Sequence, residues 1–325
     1  MRFGVCIPTY DRYGDPDVLR RLIAAAERLG FDSVWFGDHI VVPGYATAMT
    51  DPHWYEAITT AALGIGMTTR LRFGTDVLVT PNRNPLLLAK MAATASELSG
   101  GRLILGMGIG YLKGEFEALG SPPYARRGAV TDEYLTIMRL LFESQGPAAF
   151  RGEWFDFTDV QFGPRPAAPP PILVGGNHAK AHQRAALLGD GWHPLFCDPA
   201  EYARGREHIL AIRTREGIDR PFSFSYSCPR TRLLMPGEAL PVESYGLGER
   251  PEEYAYIPAI GRAADGRQHF IGTANQLIED IAAYQSAGVE QMVLRFALAW
   301  DPDVTPDHIA DQWQAFMEQV APAFA

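Results

Sequence analysis

A histidine beside an aspartate follows a short apolar run in SVWFGDH, residues 33–39. An imidazole can donate or accept a proton near neutral pH, so His39 suits general acid or base catalysis. Asp38 offers a negative charge that could orient a substrate or a cofactor. A lone histidine is more often a packed or surface residue than a catalyst. What favours catalysis here is the position of His39 at the end of a predicted strand.

Glycines are concentrated in LILGMGIGYLKGEFEALG, residues 103–120. The dinucleotide fingerprint requires G-x-G-x-x-G between a strand and a helix, whereas the spacing here is G-x-G-x-G. A second group, Gly175, Gly176 and Asn177, comes directly before the helix-like segment HAKAHQRAALLG. Free N–H groups and the positive end of that helix would form an anion site, suited to a phosphate. An ordinary tight turn would explain the same residues.

Metal and covalent chemistry find little support in the sequence. His178 and His182 are spaced like metal ligands, but Ala179 stands where the H-E-x-x-H motif has glutamate, so we expect no metal. The three cysteines are too scattered for a disulfide framework or a C-x-x-C site. No G-x-S-x-G elbow is present. A phosphate site beside glycine-lined strand ends therefore suggests a cofactor that brings its own reactivity.

The balance of charged residues argues against some classes of binding partner. The net charge is −9, and no block of lysines and arginines is present, which argues against a nucleic-acid or membrane-surface protein. No stretch approaches the ~20 apolar residues of a membrane helix, and the first residues lack a signal-peptide layout. We therefore expect a soluble, cytoplasmic protein that acts on a small molecule.

Strand-like runs alternate with helix-like segments along the whole chain, which is typical of βα units. The predicted strands are RFGVCIP (2–8), SVWFGD (33–38), RFGTDVLV (72–79), RLILGMGIG (102–110), PILVGG (171–176), GWHPLF (191–196), FSFSYSCPR (222–230) and QMVLRFAL (291–298). Eight apolar strands in some 300 residues fit a closed (β/α)8 TIM barrel better than an open sheet. We predict one domain over residues 1–325, with insertions after strands four and seven.

Helix starts are marked by a capping residue followed by proline, or by a capping box. The predicted starts are Asp15-Pro16, Asp51-Pro52, Asn84-Pro85, Asp198-Pro199, Thr305-Pro306 and the box Thr273 to Gln276. The first helix is expected to end at Gly30.

Two segments are longer than ordinary connections. Residues 146–170 contain FRGEWFDFTDVQF, which predicts a small β hairpin, and then a proline-rich run that would strap the barrel surface. Residues 231–268 follow strand seven on the face where barrel enzymes build their sites, so they could form a lid. A disordered or subunit-contacting loop fits their composition equally well.

The strand ends and their surroundings resemble the bacterial-luciferase-like superfamily, in particular its deazaflavin-dependent oxidoreductases. The motifs that carry the resemblance are VWFGDH (34–39), GTDVLVTPNRNPLLLAK (74–90), LSGGRLILGMGIGYLKGEFEALG (98–120) and PILVGGNHAKAHQRAALLGDGWHP (171–194). The resemblance implies a barrel that binds coenzyme F420 at its C-terminal face. It also implies a bulge at strand three that often holds a non-prolyl cis peptide, here Asp76–Val77.

Site residues follow from this resemblance. The implied cofactor-binding residues are Thr75, Asp76, Val77, Gly108, Ile109, Gly110, Gly175, Gly176 and Asn177. Gly108 and Gly110 would keep strand four low beside the cofactor, and Gly106 would serve packing inside the barrel. His39 looks like the residue that assists hydride transfer, with Asp38 beside it, and Tyr10 and Tyr111 would contact substrate. Sugar-phosphate dehydrogenases of this group carry a glutamate where Tyr111 stands, which puts a sugar-phosphate substrate in doubt.

Three functions stay open at this point. The first is hydride transfer between F420 and a small organic substrate. The second is an FMN-dependent luciferase-like monooxygenase, which would need a flavin reductase as partner. The third is a flavin-binding barrel without catalysis, which retention of Asp38 and His39 disfavours. The subunits could pair as a homodimer.

Overall fold

A computed structural model describes all residues of the chain except 48–49, 236, 239–262, 264 and 298–303. The strands of this part are β1 (Arg2–Cys6), β2 (Ser33–Phe36), β3 (Arg72–Thr75), β4 (Leu78–Val79), β5 (Leu103–Gly108), β6 (Ala148–Arg151), β7 (Asp156–Val160), β8 (Ile172–Val174), β9 (Gly191–Trp192), β10 (Ser223–Ser227), β11 (Arg232–Leu233), β12 (Ile271–Gly272) and β13 (Gln291–Leu294). The helices are α1 (Pro16–Leu29), α2 (Ala57–Met67), α3 (Pro85–Ser99), α4 (Lys113–Leu119), α5 (Arg127–Glu143), α6 (Ala179–Leu188), α7 (Pro199–Arg215), α8 (Ala274–Ser286) and α9 (Pro306–Gln319).

The parallel strands close into a barrel. Their order is β3-β2-β1-β13-β10-β9-β8-β5, and β3 also pairs with β5, which completes the ring. We call each strand of the barrel wall a stave. The third stave along the chain is divided into β3 and β4, and β4 continues the pairing with β5. The predicted (β/α)8 barrel is therefore confirmed, with each of the predicted strands present as a stave.

Side chains alternate between the two faces of the barrel wall, as strand geometry requires. On β1 and β2, Phe3, Val5, Val34 and Phe36 belong to the large core between staves and helices. A second, smaller core consists of Cys6, Trp35, Ile104, Leu173 and Val293. Because these residues alternate with the outward ones, this second core fills the inside of the barrel.

Trp35 is the largest side chain of the inner core and is fully buried. Glycines on the neighbouring staves make room for it. A Cβ at Gly74 would lie 2.3 Å from Trp35 Cε3, and a Cβ at Gly4 would lie 2.8 Å from its Nε1. The indole also donates a hydrogen bond to Ser33 Oγ at 2.8 Å. The interior is therefore a packed core, and space for a ligand lies at its ends.

The predicted helix starts were correct with one exception. Asp15, Asn84, Asp198 and Thr305 each cap a helix that has proline in its first turn. The box at Thr273 is present, and α1 ends at Gly30 in the left-handed conformation. The start predicted at Asp51-Pro52 was wrong, because α2 begins at Ala57 and Glu56 caps it through Thr59 N at 2.6 Å.

The first insertion contains the predicted hairpin, formed by the antiparallel strands β6 and β7. Its turn is tied to α5 because the Glu133 carboxylate accepts hydrogen bonds from the backbone N–H groups of Glu153, Trp154 and Phe155. In the second insertion, β11 and β12 pair in parallel around the segment between them. The central part of the predicted lid, with Tyr245, Tyr254 and Tyr256, lies outside the described residues.

In the ranges that the structure describes, no helix is long and apolar enough to cross a membrane. Within those ranges, three or more His, Cys, Asp or Glu side chains do not gather into a metal site. His182 Nδ1 lies 3.2 Å from His208 Nδ1, and burial lowers the pKa of His182 to about 4. That residues 1–325 form a single domain stays a prediction.

Candidate active site

His39 lies at the C-terminal end of β2 and is 6% exposed. Its ring has a partner on each side. His39 Nδ1 is 3.2 Å from Glu115 Oε2, and His39 Nε2 is 2.9 Å from the Tyr111 hydroxyl oxygen. The imidazole therefore bridges a carboxylate on α4 and a phenol just after β5, which is an arrangement able to hold and move a proton.

Aromatic rings continue from His39 along one side of the site. Trp54 packs edge-on against His39 with ring centres 5.0 Å apart. The ring of Trp54 also packs against that of Tyr10, with ring centres 4.2 Å apart. Tyr111 packs edge-on against His39 at 5.4 Å. The structure thus brings the two predicted substrate residues, Tyr10 and Tyr111, to opposite sides of a short aromatic row that includes His39. An apolar wall of this kind strengthens polar interactions beside it by excluding water.

Asp38 is buried, and both of its carboxylate oxygens are bound by protein donors. Arg83 binds both of its carboxylate oxygens, at 2.7 and 2.6 Å, and Val79 N donates to Oδ2 at 2.9 Å. Arg83 also contacts Glu56, the cap of α2, at 2.8 Å. Asp38 therefore fixes the segment that carries His39, and its predicted role in orienting a substrate or cofactor stays a prediction.

The bulge in the third stave has the predicted geometry, since the Asp76–Val77 peptide is cis. The Asp76 side chain is bound by residues from three other staves. Its carboxylate is 2.5 Å from Arg295 Nη2, 2.9 Å from Ser227 Oγ and 3.2 Å from His193 Nε2. The bulge is therefore anchored across the barrel by hydrogen bonds and an ion pair.

Electrostatics around Asp76 are dominated by burial and by this pairing. Burial by itself raises the pKa of Asp76, but the Arg295 guanidinium and the His193 hydrogen bond outweigh it and hold that pKa well below its usual range. Burial also raises the pKa of the nearby Cys6 thiol to about 11. Asp76 is thus a carboxylate at neutral pH, and Cys6 stays a thiol, which makes it a poor nucleophile.

The glycines after β5 serve the protein's own side chains. A Cβ at Gly108 would lie 2.6 Å from Val77 Cγ2, and one at Gly110 would lie 2.5 Å from Val79 Cγ1. Gly106 packs against the third stave, as expected, because a Cβ there would meet the Thr75 carbonyl oxygen. Close packing of β5 on the bulge therefore requires glycine at these positions, and the cofactor-binding role of Gly108 and Gly110 stays a prediction.

The other predicted cofactor-binding residues of strands three and four, Thr75, Val77 and Ile109, differ in their exposure. Thr75 is fully buried, and its hydroxyl donates to the Gly106 carbonyl at 2.8 Å, so it belongs to the barrel wall. Val77 and Ile109 are partly exposed at the same end of the barrel. These two side chains can therefore reach a ligand, whereas Thr75 is committed to the wall.

The start of α6 has features of a ligand site. Its N-cap residue, His178, makes no side-chain cap hydrogen bond. Asn177 Nδ2 donates to the Leu195 carbonyl at 2.6 Å, while Asn177 Oδ1 is buried without a partner. Gly176 has a φ of 102°, which favours glycine, and a Cβ at Gly175 would find no atom nearer than 3.6 Å. N–H groups without a side-chain cap and an unpartnered amide oxygen therefore coincide where the anion site was predicted.

Sequence reasoning missed three residues of this region: Glu115, His193 and Arg295. Glu115 lies inside the quoted glycine-rich motif, and its place in KGEFEAL beside the apolar Phe116 was the available signal. His193 lies in the predicted strand GWHPLF, and Arg295 interrupts the apolar strand QMVLRFAL. A charged or titratable residue within a buried strand was therefore the pattern that could have indicated both.

Comparison with known proteins places the chain in a family. The sequence model of the luciferase-like monooxygenase family matches residues 1–232. The chain belongs to this family. One relative that matches over nearly its full length is the F420-dependent glucose-6-phosphate dehydrogenase of Amycolatopsis mediterranei (strain U-32). It is 26% identical over 328 residues, and the match covers 91% of this chain and 95% of the relative.

Solved structures share the luciferase-like barrel. An F420-dependent secondary alcohol dehydrogenase in complex with an F420-acetone adduct superposes with a TM-score of 0.80 at 21% identity, covering 100% of this chain and 99% of the other. The oxygenating constituent of 3,6-diketocamphane monooxygenase from Pseudomonas putida, in complex with FMN, gives 0.75 at 17% identity, covering 99% and 98%. At these identities the likeness establishes the fold.

Proposed function

We propose that this luciferase-like protein is an F420-dependent oxidoreductase that transfers a hydride between the deazaflavin and the carbinol or carbonyl carbon of a small organic substrate. The observation that carries the proposal is His39, held between Glu115 and Tyr111 at the C-terminal end of the barrel. The names of the Amycolatopsis relative and of the alcohol dehydrogenase support the choice of F420.

The residues at the start of α6 fit an anionic cofactor. The helix offers N–H groups without a side-chain cap, and its positive end favours a phosphate. A Cβ at Gly175 would meet no atom nearer than 3.6 Å, so this turn is not tightly packed, and the unpartnered Asn177 Oδ1 can accept a hydrogen bond from a polar group of the ligand. Gly175, Gly176 and Asn177 would hold the phosphate end, and Val77 and Ile109 would lie nearer the ring.

F420, when bound, supplies the acceptor or donor of the hydride. The protein's part is to manage the accompanying proton. In the oxidising direction the proton of the substrate hydroxyl passes to His39 Nε2 through the Tyr111 hydroxyl, which lies 2.9 Å from that nitrogen, and in the reducing direction it returns to the forming alkoxide by the same route. Trp54 and Tyr10 limit water on one side of His39, which preserves the strength of this hydrogen bond.

A second candidate is an FMN-dependent monooxygenase. The family description and the FMN-bound camphane monooxygenase favour it. Reduced FMN would then have to come from a flavin reductase, and the reaction would consume oxygen. The proton-handling geometry at His39 is compatible with both candidates, so the cofactor itself must be tested.

The deciding experiment is to titrate the purified protein separately with oxidised F420, reduced F420 and FMN, following each cofactor's absorbance or fluorescence. Turnover is then measured with a panel that includes propan-2-ol, acetone and glucose 6-phosphate, with and without oxygen. We expect F420 to bind at micromolar concentration or below and to change redox state with an uncharged alcohol or ketone, without oxygen uptake.

Two results would contradict this proposal. Binding of FMN in preference to F420, with oxygen consumption on addition of reduced FMN, would establish the monooxygenase. Binding of either cofactor without turnover of any substrate, together with an unchanged rate of cofactor oxidation, would favour the non-catalytic barrel.

A further inference from the structure

Glu115 is the third residue of α4 and is 1% exposed. Its carboxylate lies against three donors of one segment. Oε2 is 3.2 Å from His39 Nδ1, and Oε1 accepts from Ile40 N at 2.7 Å and from Val41 N at 3.4 Å. A buried carboxylate is thus directed at the side chain of His39 and at the backbone that follows it.

Glycine at position 114 allows α4 to come this close. A Cβ there would lie 2.9 Å from Pro43 Cγ and 3.0 Å from Tyr45 Cε1. The Gly114 N–H donates to the Tyr45 hydroxyl at 3.0 Å. The helix therefore packs directly on the segment after β2, and Glu115 reaches His39 as a result.

We propose that Glu115 is a positioning residue that holds His39 in the tautomer with its proton on Nδ1. This inference rests on the proposed function of His39 as the proton acceptor. With the backbone N–H groups on Oε1, the Oε2 atom accepts the Nδ1–H hydrogen bond, and the lone pair of the neutral ring is left on Nε2. The Tyr111 hydroxyl, 2.9 Å from Nε2, marks the direction of that lone pair.

The chemical consequence is a base with a defined reacting atom. When an alcohol is oxidised, the O–H proton passes to His39 Nε2 as the C=O bond forms, and bound F420 would supply the acceptor for the hydride that leaves the carbinol carbon. The ring then carries protons on both nitrogens, and the Glu115 carboxylate stabilises that positive charge. A reversed tautomer would present an N–H where the base is needed.

The substitution Glu115→Gln tests this directly. The amide oxygen can still accept from Ile40 N, while the amide NH₂ now faces His39 Nδ1 and requires a lone pair there. The matched control is Glu117→Gln, the same change on the same helix at a side chain that is 64% exposed and paired with Lys113. Thermal unfolding of both variants monitors the fold.

The first readout is the ¹⁵N spectrum of histidine-labelled protein, with His39 assigned by the signal lost in His39→Asn. We expect protonated Nδ1 and unprotonated Nε2 in the unmodified protein and in Glu117→Gln, and the reverse in Glu115→Gln. A protein with Nε2 protonated before any substitution, or a Glu115→Gln variant with an unchanged tautomer, would overturn the inference.

The second readout is kinetic. In a serine protease triad a reversed histidine tautomer lowers kcat by about 10⁴. We expect Glu115→Gln to lower kcat by at least about tenfold, with KM and cofactor Kd within about threefold, and Glu115→Asp to recover part of the loss. Equal kcat in Glu115→Gln and Glu117→Gln would also overturn the inference. Since the NMR readout needs no cofactor, the expected tautomers without F420 turnover would contradict the proposed function and leave the Glu115 assignment standing.

Discussion

At the scale of single residues, His39 is set apart by having both ring nitrogens engaged while it is almost completely buried. A ring held at two points loses little further freedom when substrate arrives, which is how positioned groups lower a barrier. The same two contacts occupy both ring nitrogens. Proton transfer at Nε2 is therefore expected to pass through the Tyr111 hydroxyl.

Replacing His39 by alanine should lower turnover by about 10²–10⁴, because that is the usual contribution of general acid or base assistance. Cofactor Kd should stay within a few fold, since the proposed phosphate site is on α6. Steady-state rates at saturating cofactor measure the first quantity, and fluorescence titration measures the second. His208→Ala, on the exposed face of α7, should retain full activity. Unchanged turnover in His39→Ala would remove this residue from the mechanism.

Asp76→Asn should destabilise the protein by about 3–5 kcal/mol, because it leaves the Arg295 guanidinium without its buried counter-charge. The pair is close, at 2.5 Å, and the Asp76 side chain is 4% exposed. Urea unfolding at pH 7 measures the change. The control is Asp17→Asn, which breaks an ion pair with Arg20 at a side chain that is 88% exposed and should cost below about 1 kcal/mol.

The same variant has a pH signature. The pKa of folded Asp76 lies below its unfolded value of about 3.9, so its contribution to stability is complete above that value and is lost as the pH falls through the folded pKa. The difference in unfolding free energy between Asp76→Asn and the unmodified protein should therefore be constant from about pH 5 to 8 and shrink below about pH 4. A difference that grows on acidification would contradict the ion-pair account.

At the scale of elements, a charged substitution at the start of α6 should have the largest effect on the binding of an anionic ligand. Gly175→Asp should weaken F420 binding by at least about tenfold, because it adds a negative charge close in sequence to the N–H groups that are proposed to hold the phosphate. Gly175 is a better test position than Gly176, whose φ of 102° makes any side chain strained. Gly175→Asn adds the same bulk without the charge and should bind F420 more tightly than Gly175→Asp. Equal dissociation constants in the two variants would place the phosphate elsewhere.

The barrel strands and most helix starts could be predicted because they depend on local sequence. An apolar strand such as SVWF is buried on both faces, and Asn84 before Pro85 caps a helix wherever it lies. The start predicted at Asp51 was wrong although its pattern is the same. There Asp51 Oδ1 accepts from His53 N in a turn, and the tertiary contact between Glu56 and Arg83 favours a later start.

The site was harder to predict, because its contacts join distant parts of the chain. His39 could be identified by its place at a strand end, but its partner Glu115 lies 76 residues later and is identified by burial, which sequence pattern does not show. Gly108 was interpreted as making room for a cofactor, and the fold shows that Val77 also approaches it closely. A glycine indicates that something approaches closely, and the fold decides what that is.

At the scale of the whole molecule, one helix face suggests where a homodimer would form. The solvent-facing residues of α2 carry no charge, and they are Thr59, Ala62, Leu63, Gly66 and Met67. Leu63 and Met67 are each 40% exposed. A smooth apolar helix face is typical of a subunit interface, so the predicted homodimer should use it.

Leu63→Glu should therefore shift the protein toward monomer, because a buried, unpaired carboxylate at a subunit contact is unfavourable. Sedimentation velocity over a range of concentrations measures the mass. Thr136→Glu, at an exposed position on α5, should leave the mass unchanged. Monomeric mass in all three proteins would contradict the homodimer, and a dimer unaffected by Leu63→Glu would move the contact to another face.

The pairing of Asp76 with Arg295 also constrains how the chain can be made. These residues are 219 positions apart. At roughly 5–20 residues per second, a ribosome would release Asp76 roughly 10–40 s before its counter-charge exists. Until β13 has been made, the Asp76 carboxylate lacks the Arg295 guanidinium with which it is paired in the folded barrel. The barrel interior around Asp76 must therefore stay hydrated until then. The mouth of the barrel, where catalysis is proposed, would then complete its contacts only after β13 has been made.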